Sequence, residues 1–172
     1  MSAPSVQGSV SPRPRPAPSA LPPFERVLEL HGPALLRFCA AQAGPARAED
    51  CFQETMLAAL RAYGELRDGG AVRAWLFSIA ARKVIDARRA ESRAPGAEVE
   101  LDPPAPEPPA DGDPALWARV RRLPAKQRRA VALRYQGELS YREIGAVMET
   151  SEAAARRNVF EGLARLRKEV EP

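Results

Sequence analysis

Proline and acid between residues 94 and 114 cut this chain in two. Pro95, Pro103, Pro104, Pro106, Pro108 and Pro109 break any helix there, because proline lacks the amide hydrogen a helix needs and clashes with the preceding turn. Glu98, Glu100, Asp102, Glu107, Asp111 and Asp113 make the same stretch acidic throughout, the composition of an extended, semi-rigid linker. Residues 1–23 are rich in Pro, Ser and Ala with almost nothing to bury. They are expected to be disordered, with polyproline-II character around Pro12-Arg13-Pro14-Arg15-Pro16. What remains is two blocks, 24–93 and 115–172, both with helical periodicity. The expected fold class is all-α: two small helical domains joined by a Pro-rich acidic linker.

The first block opens with Phe24, Val27, Leu28, Leu35, Leu36 and Phe38, an apolar element bent near Pro33. After Gly44-Pro45 a second helix runs to about Tyr63. Phe52, Met56, Ala59, Leu60 and Tyr63 are expected on its inner face; Asp50, Gln53, Glu54, Leu57 and Arg61 fall on the other. Leu57 is thus an apolar residue on a polar face, which is how a partner-binding patch begins. Residues 64–71, with Asp68-Gly69-Gly70, read as a loop. A third helix follows from Val72 to about Arg89, with Trp75, Leu76, Ile79, Ala80 and Val84 inward. Arg73, Arg82, Lys83, Arg88, Arg89 and Arg93 give it a basic outer surface, of the kind that holds single-stranded DNA through its phosphates.

The second block begins with Leu116, Trp117, Val120 and Leu123 before Pro124, then Val131, Leu133 and Tyr135 on a helix ending near Gly137. Ser140 followed by Glu143 is a capping box, and Ile144, Val147 and Met148 recur at helical spacing. Glu149 sits at a turn where glycine would most easily supply a left-handed backbone. Ser151 caps a longer helix, with Glu152 at its positive end. Ala155, Val159, Leu163 and Leu166 form its apolar stripe, while Arg156, Arg157, Asn158 and Glu161 point elsewhere. Two such helices with one basic face make a helix-turn-helix, whose second helix can lie in a DNA major groove.

Composition agrees with a polyanionic partner: the 172-residue chain carries a net charge of +4 and a pI near 9.5. No apolar run approaches membrane-spanning length and no signal-peptide core is present, so the expected location is cytoplasmic, without membrane insertion. Cys39, Cys51 and His31 are the chain's only cysteines and histidine; two thiols and one imidazole make a poor zinc set. Both cysteines are expected as small core or boundary residues. No Gly-rich phosphate loop, G-x-S-x-G elbow or metalloprotease motif occurs. No metal, cofactor or catalytic residue is therefore expected.

Two sets of motifs, taken together, resemble the bacterial RNA polymerase sigma factors of the extracytoplasmic-function type. One set is Ala48-Glu49-Asp50-Cys51-Phe52-Gln53-Glu54-Thr55, Val72-Arg73-Ala74-Trp75-Leu76-Phe77-Ser78-Ile79-Ala80, Asp86 and Arg88-Arg89. The other is Leu123-Pro124-Ala125-Lys126-Gln127-Arg128, Leu133-Arg134-Tyr135, and Leu139-Ser140-Tyr141-Arg142-Glu143-Ile144 onward to Arg167. The resemblance implies a non-enzymatic factor that binds core RNA polymerase, directs it to promoter DNA and helps open the duplex. It assigns 24–93 to region 2, 94–114 to the linker and 115–172 to region 4. By position, Asp50, Gln53, Glu54 and Leu57 would grip the polymerase clamp. The 64–71 loop and Arg73, Arg82, Lys83, Arg88 and Arg89 would hold the minus-ten element, with Trp75 in the core. Glu152, Arg156, Arg157, Asn158 and Phe160 would face the minus-thirty-five duplex. An anti-sigma factor is a further candidate partner. The sequence departs from the family pattern at Glu149, where glycine is usual, at the plain Ala153-Ala154-Ala155, and at Arg82, where asparagine is common.

Two other readings stay open on the residues alone. One is an ordinary helix-turn-helix regulator, which would leave the Asp50–Leu57 face and the basic third helix without a role. The other is a polymerase-binding protein that never initiates.

Overall fold

The computed structural model describes residues 20–93 and 113–168, and every regular element among them is a helix. The N-terminal tail up to residue 19, the linker residues 94–112 and the last four residues lie outside that set. Helix α1 (Phe24–Ala43) runs through Pro33 and stops at Gly44, whose φ of 86° is open to glycine and costly for other residues. The same glycine precedes α2 (Pro45–Ala62), with Pro45 in the first turn, where its missing N–H costs nothing. Short 3-10 turns at Tyr63–Glu65 and Gly69–Ala71 flank the loop, and the Asp68 carboxylate accepts the Gly70 amide at 2.9 Å. Helix α3 (Val72–Arg93) completes the N-terminal unit.

Asp113 caps α4 (Pro114–Arg122) by accepting the Ala115 amide. Then come α5 (Ala125–Tyr135), α6 (Tyr141–Val147) and α7 (Glu152–Lys168). Arg128 is buried on α5, and its guanidinium donates to the Arg121 carbonyl at 2.7 Å, closing the end of α4. Burial, and then the guanidiniums of Arg88 and Arg129, push its pKa down to about 10.

Small side chains set the packing of α2. Its buried positions are Ala48, Cys51, Thr55 and Ala59, which let the helix lie close on its neighbours. Phe52, Met56 and Tyr63 are only half-buried, and Leu60 is 55% exposed. The expectation of a bulky inner face including Leu60 is corrected accordingly: the periodicity was right, but the buried stripe is the row of small residues beside the large ones. Cys39 and Cys51 are buried free thiols. The hydrogen bond that the Cys39 thiol donates to the Cys51 sulfur, together with burial, pushes the Cys39 thiol up.

The two units meet in one core. Leu35 and Phe38 of α1 and Phe77, Ala80 and Val84 of α3 belong to the same apolar cluster as Leu133, Leu139, Ile144 and Val159. Helix α1 packs on α4 and α5, and α3 packs on α6. Phe77 stacks edge-on against Phe38 at 5.3 Å, and Gly137 lies so near it that an added Cβ would sit 3.3 Å from the ring. Each aromatic ring so buried contributes about 2–3 kcal/mol. The inward face of α3 is therefore wider than Leu76, Ala80 and Val84: Phe77 and Ala81 are buried as well, on the side that the C-terminal unit covers. Trp75 and Ile79 are half-buried beside a smaller cluster of Val27, Ala59, Val72 and Leu76, onto which Leu21 also packs.

Candidate polymerase and DNA interfaces

Asp50, Gln53, Glu54 and Leu57 share one exposed face of α2, as their spacing requires. Leu57 is 53% exposed, and Leu60, three residues on, extends it into an apolar strip. Leu60 was not among the sequence candidates, although the i, i+3 spacing from Leu57 was readable. Lys83 of α3 reaches Glu54 at 3.7 Å, so a residue expected on DNA also borders the α2 face expected to meet polymerase.

The other basic residues of α3 divide. Arg82 and Arg89 are exposed, and so is much of Arg88. Arg88 donates to the Gln42 carbonyl at 2.7 Å, satisfying a group at the end of α1, and burial lowers its pKa. The Gln42 side-chain amide donates across to the Arg128 carbonyl of α5. Arg73 pairs with Glu138 of the C-terminal unit at 2.8 Å. Around that pair, His31, Gly69, Gly70, Val72 and Glu143 line a concavity of about 350 Å³. Burial and the Arg73 charge both lower the His31 pKa, disfavouring the protonated imidazole.

The helix-turn-helix forms from local signals. Ser140 accepts the Glu143 amide at 3.2 Å while the Glu143 carboxylate accepts the Ser140 amide at 2.7 Å, closing the capping box. Glu149 adopts φ 54°, the left-handed backbone expected at that turn. Gly145 lets the turn close: a Cβ there would lie 2.9 Å from the Thr150 carbonyl oxygen. The Ser151 hydroxyl accepts the Ala154 amide at 3.1 Å and starts α7.

Ala155, Val159, Gly162 and Leu166 seat α7, with Leu163 half-buried. Glu152, Arg156, Arg157 and Phe160 remain exposed and line, with Ala153, a shallow concavity of about 480 Å³. Phe160 is 60% exposed, which leaves its ring available for an apolar base contact. Asn158 is half-buried and gives its amide to the Ala154 carbonyl at 2.9 Å, so it is the least available of the five candidates. Arg156 reaches Glu152 at 3.3 Å and lies 5.0 Å from the Tyr141 ring centre, while Arg134 lies 5.1 Å from the same centre. Nothing in the sequence pattern had marked Tyr141 as the ring that holds Arg156.

Fold and surfaces together define an all-helical protein of two packed units, the second ending in a helix-turn-helix. Residues 27–94 match Sigma-70 region 2, and residues 114–166 match Sigma-70, region 4. The chain is 32% identical over 151 residues to the RNA polymerase sigma factor CarQ of Myxococcus xanthus, covering 84% of this chain and 87% of that one. It is 34% identical over 162 residues to the ECF RNA polymerase sigma factor SigD of Mycobacterium tuberculosis, covering 86% and 76%. In fold it is similar to RpoE, solved in complex with the anti-sigma factor NepR from Bartonella quintana: TM-score 0.73 at 23% identity, over 87% of this chain and 98% of that one. CnrH, solved with the cytosolic domain of CnrY, gives a TM-score of 0.63 at 22% identity, over 86% and 87%.

The chain belongs to the sigma-70 family, as a sigma factor of the extracytoplasmic-function type, and such a factor directs RNA polymerase to promoters. No helix among the described residues is long and apolar enough to cross a membrane.

Proposed function

We propose that this factor divides its work among three surfaces. The α2 face of Asp50, Gln53, Glu54 and Leu57, lengthened by Leu60, binds core RNA polymerase. The 64–71 loop and the basic side of α3, through Arg73, Arg82 and Arg89 with Lys83 and Arg88 at its margins, hold the opened minus-ten strand. The α7 face of Arg156 and Arg157, flanked by Glu152, Asn158 and Phe160, reads the minus-thirty-five duplex. The protein performs no bond chemistry of its own and acts in the cytoplasm, where the polymerase is. An anti-sigma factor covering these surfaces is a further candidate partner.

The observation that carries this reading is the apolar strip of Leu57 and Leu60 inside a polar, exposed α2 face, on the same chain as an exposed arginine pair on α7. A plain helix-turn-helix regulator needs only the second of these. Run-off transcription with purified core polymerase tests it: specific transcripts are expected only when this protein is added. Binding to duplex DNA without any response from core polymerase would favour the plain regulator.

Two substitutions separate the surfaces. Gln53→Ala with Glu54→Ala is expected to weaken core binding about tenfold or more, since exposed polar anchors at an interface cost about 1–2 kcal/mol each when truncated. The fold should be unaffected, as neither side chain is buried; native-like melting with unchanged affinity would displace the polymerase face. Arg156→Ala is expected to cost about 1–3 kcal/mol at a specific promoter duplex if it reads a base edge. Equal loss on unrelated duplexes, measured by fluorescence anisotropy, would make it a phosphate contact.

A further inference from the structure

An arginine that reads a base edge works best when its guanidinium is already in place. Its stem has many rotamers, and ordering them on contact with DNA subtracts from binding. Arg156 is ordered in advance. It donates through Nη2 to the Glu152 carboxylate at 3.3 Å, and its guanidinium lies 5.0 Å from the centre of the Tyr141 ring. The ion pair joins two exposed side chains one turn apart and holds weakly. The ring is the firmer support. Tyr141 is half-buried against the main apolar cluster. It is also the first residue of α6, so the Ser140–Glu143 capping box fixes its backbone. A further brace comes from α5: the Arg134 guanidinium lies 5.1 Å from the same ring centre and donates to the Leu139 carbonyl at 2.9 Å. Helices α5, α6 and α7 thus converge on one aromatic ring. Arg157 is the contrast. It too is exposed, and among the described residues it has neither an ion pair nor a ring contact.

A ring holds a cation differently from a carboxylate. The attraction comes from the electron-rich face, so no N–H is consumed and the positive charge is not cancelled. Arg156 keeps its remaining donors for the shallow concavity that Glu152, Arg157 and Phe160 also line. The guanidinium is a planar fork, and a fork fixed in direction is what bidentate recognition of a base requires.

We infer that Tyr141 is a positioning residue for promoter reading: its ring, braced by Arg134, holds the Arg156 guanidinium in place to donate to a base edge. This rests on the assignment of Arg156 to the minus-thirty-five surface.

The test uses the full-length chain. Nitrogen-15 relaxation of the arginine side chains comes first and needs no DNA. In the parent, Nε of Arg156 should be as ordered as that of Arg134, and Nε of Arg157 should be mobile. Arg156 should become as mobile as Arg157 in Tyr141→Leu and stay ordered in Tyr141→Phe. Equal mobility of Arg156 and Arg157 in the parent overturns the inference, whether or not Tyr141→Leu folds.

Binding is then read by fluorescence anisotropy, with the factor in complex with core polymerase. Two duplexes are compared: the sequence the parent complex selects from a randomised pool, and an unrelated one. Tyr141→Leu, with native-like circular dichroism, is expected to lose about five-fold in preference for the selected duplex, the size of one cation–ring contact. Tyr141→Phe keeps the ring and lacks the hydroxyl, and should stay within about two-fold of the parent. Added to Arg156→Ala, Tyr141→Leu should cost nothing further, as expected when one residue acts through the other. Equal losses in Tyr141→Phe and Tyr141→Leu, or an undiminished cost in the absence of Arg156, make Tyr141 a direct DNA contact or a plain packing residue and overturn the inference. If Arg156→Ala lowers the preference and Tyr141→Leu does not, positioning fails while the surface assignment stands. If Arg156→Ala leaves the preference untouched, or the parent complex selects no sequence, the assignment falls and the inference with it.

Discussion

Replacing Phe77 with alanine is expected to lower the unfolding free energy by about 4 kcal/mol, the usual cost of deleting a fully buried aromatic ring. Phe77 is 1% exposed, meets Phe38 edge-on within the N-terminal unit and lies against Gly137 of the C-terminal unit. Its loss therefore opens a cavity at the place where two units are made into one. The chain carries a convenient pair of reporters: Trp75 lies on α3 and Trp117 on α4. In urea titrations followed through each tryptophan separately, with the other replaced by phenylalanine, the parent chain should give coincident midpoints, as one cooperative body does. In Phe77→Ala the Trp75 midpoint should fall further than the Trp117 midpoint. Coincident midpoints after the substitution would mean that the seam draws its cohesion from elsewhere, and that Phe77 is an ordinary core residue of its own unit.

Gly145→Val is expected to be the second large effect, and its damage should stay in the C-terminal unit. A side chain at Gly145 would meet the Thr150 carbonyl at 2.9 Å and the Glu152 amide at 3.2 Å. Both are backbone atoms, and the Thr150 amide already donates to the Gly145 carbonyl at 2.8 Å, so neither has a rotamer through which to escape. Overpacking of this kind costs about 3 kcal/mol, and the cheapest relief is to swing α7 away from α6. Duplex binding should then fall by more than Arg156→Ala alone produces, since every contact on α7 is displaced together. Affinity for core polymerase should be nearly unchanged, because the α2 face is built on the other unit. Parallel losses on duplex and on core polymerase would show that the turn supports the whole fold and not one surface.

Local features were the ones the sequence made readable. The capping box of Ser140 and Glu143, the Ser151 cap, the left-handed Glu149 and the α7 stripe each depend on residues within a few positions of one another. The exposed α2 face was equally accessible, because helical spacing fixes which side chains stand together. Periodicity failed where the partner is distant in sequence. It cannot tell one buried face from two adjoining ones, so Phe77 and Ala81 were missed on α3. It favours large side chains, so it places Leu60 inward beside Ala59, which is indeed buried, and passes over Ala48, Cys51 and Thr55. The pairing of Arg73 with Glu138 joins residues 65 positions apart, and no pattern within either helical block announces it. Arg128 had been part of a motif without a role; only the fold shows it closing the end of α4.

Gly44 is the whole of the connection between α1 and α2: one residue ends the first helix and begins the second. A hinge needs torsions to spare, and this corner has almost none, since the glycine is held at φ 86° and the next residue is proline. The two rods consequently behave as a bracket. A load applied along the outer edge of α2 by a docking protein turns α1 with it, and α1 is the rod that rests on α5. Leverage at a face exposed to solvent is in this way delivered to the joint between the units, with no flexible coupling in between to absorb it.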